Sequence, residues 1–283
     1  MNEQEKTVMQ RLDQRVIQQI PEISRSFAAK LIEDGKVTVN NKTVTKAGYK
    51  LKSTDKVVVD HHELEQIIPE IELPVLYEDD DCVVINKPVG VLTHSKGAFN
   101  PEATVATWLS PRVENMDGER AGIVHRLDRA TSGVMICAKT PEALSWLQKQ
   151  FSQRRTKKTY NALVEGVLKP EEAVIDMPIE RNPKKPQTFR VGSNGKPSKT
   201  HYKVIKTGKK YSLIELKPET GRTHQLRVHL HQLKHPIVGD TLYDGAPADR
   251  LYLHALSLEL TLPNRERKVF TTELPKEFEE KMQ

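Results

Sequence analysis

A histidine, an arginine and an aspartate stand within four residues of one another at His125-Arg126-Leu127-Asp128. The apolar pair Ile123-Val124 leads in, and the turn-forming Thr131-Ser132-Gly133 leads out into the apolar run Val134 to Ala138. That pattern predicts strand, polar loop, strand, with a carboxylate held at the loop. Loops carried by rigid strands are where reactive groups tend to sit, and a carboxylate so placed can act as nucleophile or base. The same residues also fit a surface turn in which Asp128 caps its own backbone and Arg126 is solvated.

A second polar cluster follows the strand-like run Leu213 to Leu216: Thr220-Gly221-Arg222-Thr223-His224-Gln225-Leu226-Arg227-Val228-His229. Thr223 predicts a helix cap, with Leu226, Leu230 and Leu233 on one face. The start of such a helix offers free N–H groups to a phosphate. Histidines 224, 229, 231 and 235 raise the question of a metal. On a helix, His224 and His231 lie about 10 Å apart, and His229 points away from both. His231 and His235 could share an ion but lack a third ligand, so no metal site is expected. Between the two clusters, Tyr160, Ala162 and Val164 alternate and share one strand face, which by itself describes a core tyrosine.

These stretches together resemble a known family. Gly122, Val124, His125, Arg126, Leu127, Asp128, Thr131, Ser132 and Gly133 fill every fixed position of G-x-V-H-R-L-D-x-x-T-S-G, the central motif of the RluA-type pseudouridine synthases. The run from Thr220 to His229 matches the family's T-G-R-T-H-Q-[IL]-R-x-H, and Tyr160 to Gly166 matches Y-x-A-x-V-x-G. Ile85 to His94 resembles its first motif, with a Lys-Pro-x-Gly turn at Lys87. The endings H-P-I-x-G-D, from His235 to Asp240, and L-H-A, from Leu253 to Ala255, also resemble the family and read as structural.

The resemblance implies that Asp128 is catalytic, that Arg222 pairs with it, and that Tyr160 stacks on the target base. A guanidinium beside a carboxylate would fix its rotamer. Arg126 would fill the space that a flipped base vacates, and His125 and Leu226 would lie against the substrate. Conversion of uridine to pseudouridine breaks the bond from ribose to the base nitrogen and rejoins the base through carbon 5. The change is redox neutral and imports no group, so no cofactor is expected. The absence of a Walker loop or dinucleotide fingerprint agrees. Attack on the sugar, attack on the base and removal of the ribose 2′-proton all remain open as the role of Asp128.

The elements that must hold these residues can be read along the chain. Leu12, Val16 and Ile20 form one helical stripe ended by Pro21. Ser24 is placed to cap a second helix, with Phe27, Ala28, Leu31 and Ile32 inward and Gly35 as its stop. Val37, Val39 and Val44 alternate around Asn40-Asn41, a hairpin signal, and Val57 to Val59 close the unit. The pattern resembles the small RNA-binding domain named after ribosomal protein S-four. That likeness implies phosphate contacts from Arg25, Lys30 and Lys46. Thr54-Asp55 replaces that family's usual Gly-Asp.

Residues 61–73 then read as an acidic linker passing into an edge strand, where His61-His62 has no cysteine partners. Residues 75–85 predict paired strands around the turn Glu78 to Asp81. Thr140-Pro141 predicts a helix start, with Leu144, Leu147 and Phe151 on its face. The basic burst Arg154-Arg155-Thr156-Lys157-Lys158 follows it. Residues 181–200, rich in Pro, Gly and Lys, predict an exposed hairpin-like excursion that holds phosphates by point charges.

Charge supports a polyanionic partner. The net charge of +6 is concentrated: residues 154–210 carry 15 Lys/Arg against 5 Asp/Glu, whereas residues 61–81 carry 8 acidic residues and no Lys or Arg. A localised basic surplus is the footprint of nucleic acid. No apolar run approaches the ~20 residues of a membrane span. The start, MNEQEKTVMQRLD, has no signal-like apolar stretch, and the two cysteines, Cys82 and Cys137, sit in apolar runs as free thiols. A cytoplasmic monomer is expected.

The expected architecture is α+β: a mixed, largely antiparallel sheet in a catalytic domain over 74–283, a linker over 61–73 and an RNA-binding module over 1–60. The expected activity is uridine isomerisation in structured RNA, ribosomal RNA favoured over transfer RNA. A non-catalytic RNA-binding protein on the same scaffold is the alternative. An intact Asp128, Tyr160 and Arg222 speak against it, because a binder of polyanions has no need of a paired carboxylate facing its ligand.

Overall fold

The structure, a computed structural model, describes residues 10–21, 23, 25–60, 69–95, 102–116, 118 and 120–282. These divide into two compact units, one within Met1–Ile71 and His94–Thr104, the other within Glu72–Thr93 and Val105–Gln283. The proposed cap Ser24 and the pair His61-His62 lie outside the described residues.

The first unit runs β1 (Gln10–Arg11), α1 (Leu12–Gln19), α2 (Arg25–Glu33), β2 (Val37–Val39), β3 (Lys42–Thr43), β4 (Lys50–Leu51) and β5 (Val57–Val59). β2 is the centre of a three-stranded antiparallel sheet between β3 and β5. Its hairpin turn is Asn40-Asn41, with φ of 51° and 63°. Two successive left-handed residues are what a tight two-residue hairpin needs, and asparagine tolerates them. Leu12, Val16, Ala28, Leu31, Ile32, Val37, Val39 and Val57 form the core.

The second unit begins with β6 (Val75–Glu78), β7 (Cys82–Lys87), α3 (Val105–Leu109), β8 (Ser132–Ala138), α4 (Pro141–Ser152), β9 (Lys157–Glu165), β10 (Glu172–Asp176), β11 (Ile179–Arg181) and β12 (Phe189–Val191). It continues with β13 (Lys199–Thr207), β14 (Tyr211–Pro218), α5 (Gln225–Gln232), β15 (Leu253–Thr261), β16 (Arg267–Thr271) and α6 (Lys276–Met282). A nine-stranded sheet is ordered β10-β13-β14-β9-β15-β8-β7-β6, with β16 on β15. Every pairing in it is antiparallel except β15 with β8. The mixed, largely antiparallel α+β architecture is thus the one expected. β11 and β12 form the separate hairpin of the Pro/Gly/Lys-rich stretch.

α4 starts as expected: Pro141 lies in its first turn, and the Thr140 hydroxyl accepts the Ala143 N–H. Ile123 makes only an isolated bridge to Cys137, so no full strand precedes the Asp128 loop. The parallel contact between β8 and β15 is close because residue 133 is glycine. Its φ is +119°, and a Cβ there would lie 2.2 Å from the Ala255 carbonyl oxygen.

Candidate active site

The loop carrying Asp128 is fixed from below. Lys87, fully buried at the end of β7, donates from Nζ to the carbonyls of Pro88 (2.9 Å), Val91 (2.8 Å) and Arg129 (3.4 Å). Its role is structural, and burial pushes its amine down to about 7. The Thr93 hydroxyl donates to the Leu127 carbonyl at 2.7 Å and accepts the Leu127 N–H at 3.2 Å. Thr131 N–H closes the turn onto the Asp128 carbonyl at 3.0 Å. Just behind, Ser132 Oγ meets buried His254 Nδ1 at 2.8 Å and accepts from Arg250.

The opposite wall is the turn between β14 and α5. The Gln225 side-chain oxygen accepts from the Thr220 hydroxyl (2.7 Å) and from Arg222 N–H (3.0 Å). Its amide donates to the Lys199 carbonyl and the Thr200 hydroxyl, both at 3.0 Å, which stitches the turn to β13. α5 begins at Gln225 after His224, whose φ is +56°. Thr223 is therefore not its cap: the left-handed residue intervenes, and no side chain caps this helix.

Between the two walls lies a cavity of about 150 Å³. Its sides come from the Asp128 loop (Arg126, Leu127, Asp128), from β9 (Lys158, Tyr160), from the 220–227 turn and from Leu253. A space of this size holds one six-membered ring. Leu127, Leu226 and Leu253 supply apolar wall and Tyr160 an aromatic face. Burial raises the Tyr160 phenol well above its ordinary range, so it is a neutral hydroxyl. Lys158 is pushed down to about 8, first by burial and then by Arg154.

The expected pairing of Arg222 with Asp128 is not what the structure shows. Arg222 stands on the extended turn, before the left-handed residue, and its Nε donates to the Pro197 carbonyl at 3.2 Å. The arginine facing Asp128 is Arg227, in the first turn of α5. Its Nη1 lies 3.6 Å from Asp128 Oδ2, while Nε and Nη2 grip Asp240 in a bidentate pair, both at 2.7 Å. Arg227 and Asp240 are almost wholly buried, and the Asp128 carboxylate is 23% exposed.

His224 Nε2 lies 3.7 Å from the same Asp128 oxygen. Its Nδ1 is 2.7 Å from the Tyr243 hydroxyl, which also accepts the Phe189 N–H at 2.9 Å. Burial lowers the imidazole pKa. In the tautomer in which the phenol donates to Nδ1, the neutral ring carries its proton on Nε2, toward Asp128. Among the described residues no donor lies within hydrogen-bond distance of the Asp128 carboxylate. It is flanked by positive charge and left open on the cavity side.

The other expected contact residues are dispersed. Arg126 is exposed at the mouth. His125 does not line the cavity: its ring stacks on Phe151 at 4.5 Å and its Nε2 accepts the Ile136 N–H. Burial pushes it down to about 3, so it is a neutral prop for β8. Arg154, Lys157 and Lys158 edge a broader groove on the sheet, where Lys157 pairs with Glu259 at 3.1 Å. Arg155 is exposed, and its carbonyl accepts from Arg267. In the first unit, Lys30 and Lys46 are exposed, whereas Arg25 and Arg11 share buried Asp13, at 3.0 and 2.9 Å. Of the four histidines, His231 meets Asp244, His235 meets the Glu165 carbonyl, and His229 bridges Thr200 and Met177. Sequence reasoning passed over Arg227, Asp240 and Tyr243, although the first two stand inside motifs already noted.

A loop-borne carboxylate beside a ring-sized cavity, rimmed by cations, is an arrangement suited to an enzyme that acts on a planar group of an anionic substrate. The comparisons with known proteins agree. The RNA pseudouridylate synthase family matches residues 81–232, and the S4 domain matches residues 10–57. Ribosomal large subunit pseudouridine synthase D of Yersinia pestis is 38% identical over 276 residues, covering 90% of this chain and 84% of the relative. The protein of the same name from Escherichia coli K12 is 36% identical over 275 residues, covering 90% and 83%. Among solved structures, human RNA pseudouridylate synthase domain containing 1 aligns with a TM-score of 0.61 at 31% identity, covering 74% of this chain and 87% of that one. The chain belongs to the RNA pseudouridylate synthase family, a family of isomerases, and carries an S4 RNA-binding domain at its N-terminal end.

Proposed function

We propose that the protein isomerises specific uridines of ribosomal RNA, with Asp128 as the nucleophile or base and no cofactor. The observation that carries this reading is the open Asp128 carboxylate on the rim of a ring-sized cavity walled by Tyr160 and Leu226. A uridine leaves its stack at a cost of a few kcal/mol and enters against Tyr160. Arg126, at the mouth, occupies the space left behind. Asp128 assists cleavage of the ribose–N1 bond; the base turns, carbon 5 bonds to the ribose, the proton of carbon 5 goes to water, and N1 takes up a proton from water, so that product and substrate are isomers. Arg227 and His224 bias the carboxylate without taking up its lone pairs. Ribosomal RNA is preferred over transfer RNA on the names of the relatives and on the S4 domain, and the cytoplasm is the matching compartment.

The test uses large-subunit ribosomal RNA and transfer RNA, each transcribed with tritium at carbon 5 of uridine, incubated with the full-length protein in the presence of a chelator. Release from ribosomal RNA and little from transfer RNA is expected. The reverse order would overturn the substrate preference, and no release from either would overturn the isomerase reading.

A further inference from the structure

A second cavity, of about 460 Å³, opens on the far side of the turn that walls the first. The two share Gly221, Arg222 and Thr223. The wall is uncrowded at Gly221, where an added Cβ would meet only Lys158 Nζ, at 3.9 Å. The outer cavity is made by the β11–β12 hairpin and the 194–196 turn, contributing Arg181, Phe189 and Lys196.

This wall is built rather than loose. Ile179 and Lys196 exchange both backbone hydrogen bonds, at 2.9 and 3.0 Å, and Gly192 N–H reaches the Pro178 carbonyl at 3.1 Å. Gly195 permits the close approach, since a Cβ there would sit 2.6 Å from the Ile179 backbone. The single carboxylate in the lining, Glu180, is taken by Arg190 at 2.7 Å. The cavity is therefore left with the positive charge of Arg181, Lys196 and Arg222. Its aromatic ring, Phe189, has the Arg181 guanidinium 5.2 Å from its centroid and meets His224 edge-on at 5.6 Å.

We infer that this outer cavity is a subsite for the nucleotide next to the target uridine, its base stacked on Phe189 and Arg181 and the intervening phosphate held by Arg222. The inference rests on the RNA-isomerase reading above. Single-stranded RNA is gripped by aromatic and guanidinium planes under its bases and by cations along its backbone. Neighbouring nucleotides are joined through one phosphate, and the guanidinium on the wall common to the two cavities, Arg222, donates from Nε to the Pro197 carbonyl but has no carboxylate partner among the described residues. That placement gives Arg222, displaced from Asp128 by Arg227, a task of its own. It also gives the hairpin a role in choosing bases, beyond attraction by point charges.

The test measures binding by the full-length protein, without turnover, so failure of the subsite is read separately from failure of the isomerase reading. The probes are a fluorescein-labelled trinucleotide of uridine, followed by anisotropy, and uridine 5′-monophosphate, followed by calorimetry. Phe189→Leu keeps apolar bulk against His224 but removes the ring; Phe189→Tyr keeps the ring. Trinucleotide affinity is expected to fall about tenfold in Phe189→Leu and in Arg222→Gln and to be retained in Phe189→Tyr. Affinity for the mononucleotide, which fills only the inner cavity, should be the same in wild type and both Phe189 variants. Trinucleotide binding insensitive to Phe189→Leu would overturn the subsite. So would an equal loss for the mononucleotide, which would mean that Phe189 acts only by supporting His224.

Discussion

The Asp128 carboxylate stands in a cluster in which each neighbour has a different degree of freedom. Arg227 cannot move, because two of its nitrogens are committed to buried Asp240; its third faces Asp128 at 3.6 Å. His224 is oriented through Tyr243. Removing that hydroxyl by Tyr243→Phe frees the imidazole while leaving the aromatic packing, so kcat should drop about tenfold with little change in KM, read by tritium release. Arg227→Gln leaves Asp240 a buried, unpaired charge, and we expect a loss of about 3–5 kcal/mol in chemical denaturation. On the proposed function, Lys158, a lysine lining the cavity, sets a pH limit on binding. Its amine, pushed down to about 8 by burial, is protonated below that value and neutral above it, so a contribution to RNA affinity is expected at neutral pH and is expected to fade as pH rises through 8. Lys158→Arg should abolish this alkaline limb in binding titrations, since arginine keeps its charge.

At the scale of elements, the site depends on two turns brought together by one sheet. β8 and β15 lie side by side because Gly133 has no side chain, and Gly133→Ala should destabilise the second unit by several kcal/mol, measured by thermal melting. Lys87→Met keeps the buried stem but deserts three carbonyls, so Tm should fall by roughly 5–10 °C and turnover with it. Much of this layer was legible in the sequence. The Asn40-Asn41 hairpin, the Thr140-Pro141 helix start and the hairpin within 181–200 all carry local signals that tertiary structure does not override. The start of α5 was not legible, because its left-handed residue is a histidine rather than a glycine. The pairing of Arg222 with Asp128 came from the family resemblance alone, and without the phase of the helix nothing in the sequence pointed to Arg227, five residues on. His125 misled for a similar reason: four polar residues in a row look alike until the strand beside them shows which one turns inward.

Across the whole molecule, positive charge is apportioned between binding and structure. Arg11 and Arg25 hold Asp13 down to about 2, chiefly through the Arg11 hydrogen bond. The folded carboxyl titrates below its ordinary value, so the stabilisation is present above about pH 4 and is lost as pH falls toward 2. Asp13→Asn should flatten that acid limb of the first unit's unfolding. Lys30 and Lys46 are exposed; replacing either with glutamine should weaken RNA binding evenly across sequences and reduce the salt slope by about 1. The pattern of the N-terminal module and the basic surplus of residues 154–210 stand in the sequence, whereas the pairing of individual charges depended on long-range contacts.

The most direct test of the account compares wild type with Asp128→Asn on ribosomal RNA carrying tritium at carbon 5, measuring released label and RNA affinity on the same samples. The substitution changes charge and almost nothing in shape. Release by wild type, no release by the variant, and RNA affinities within a few-fold of each other are expected. Turnover retained by Asp128→Asn would contradict the account at its centre.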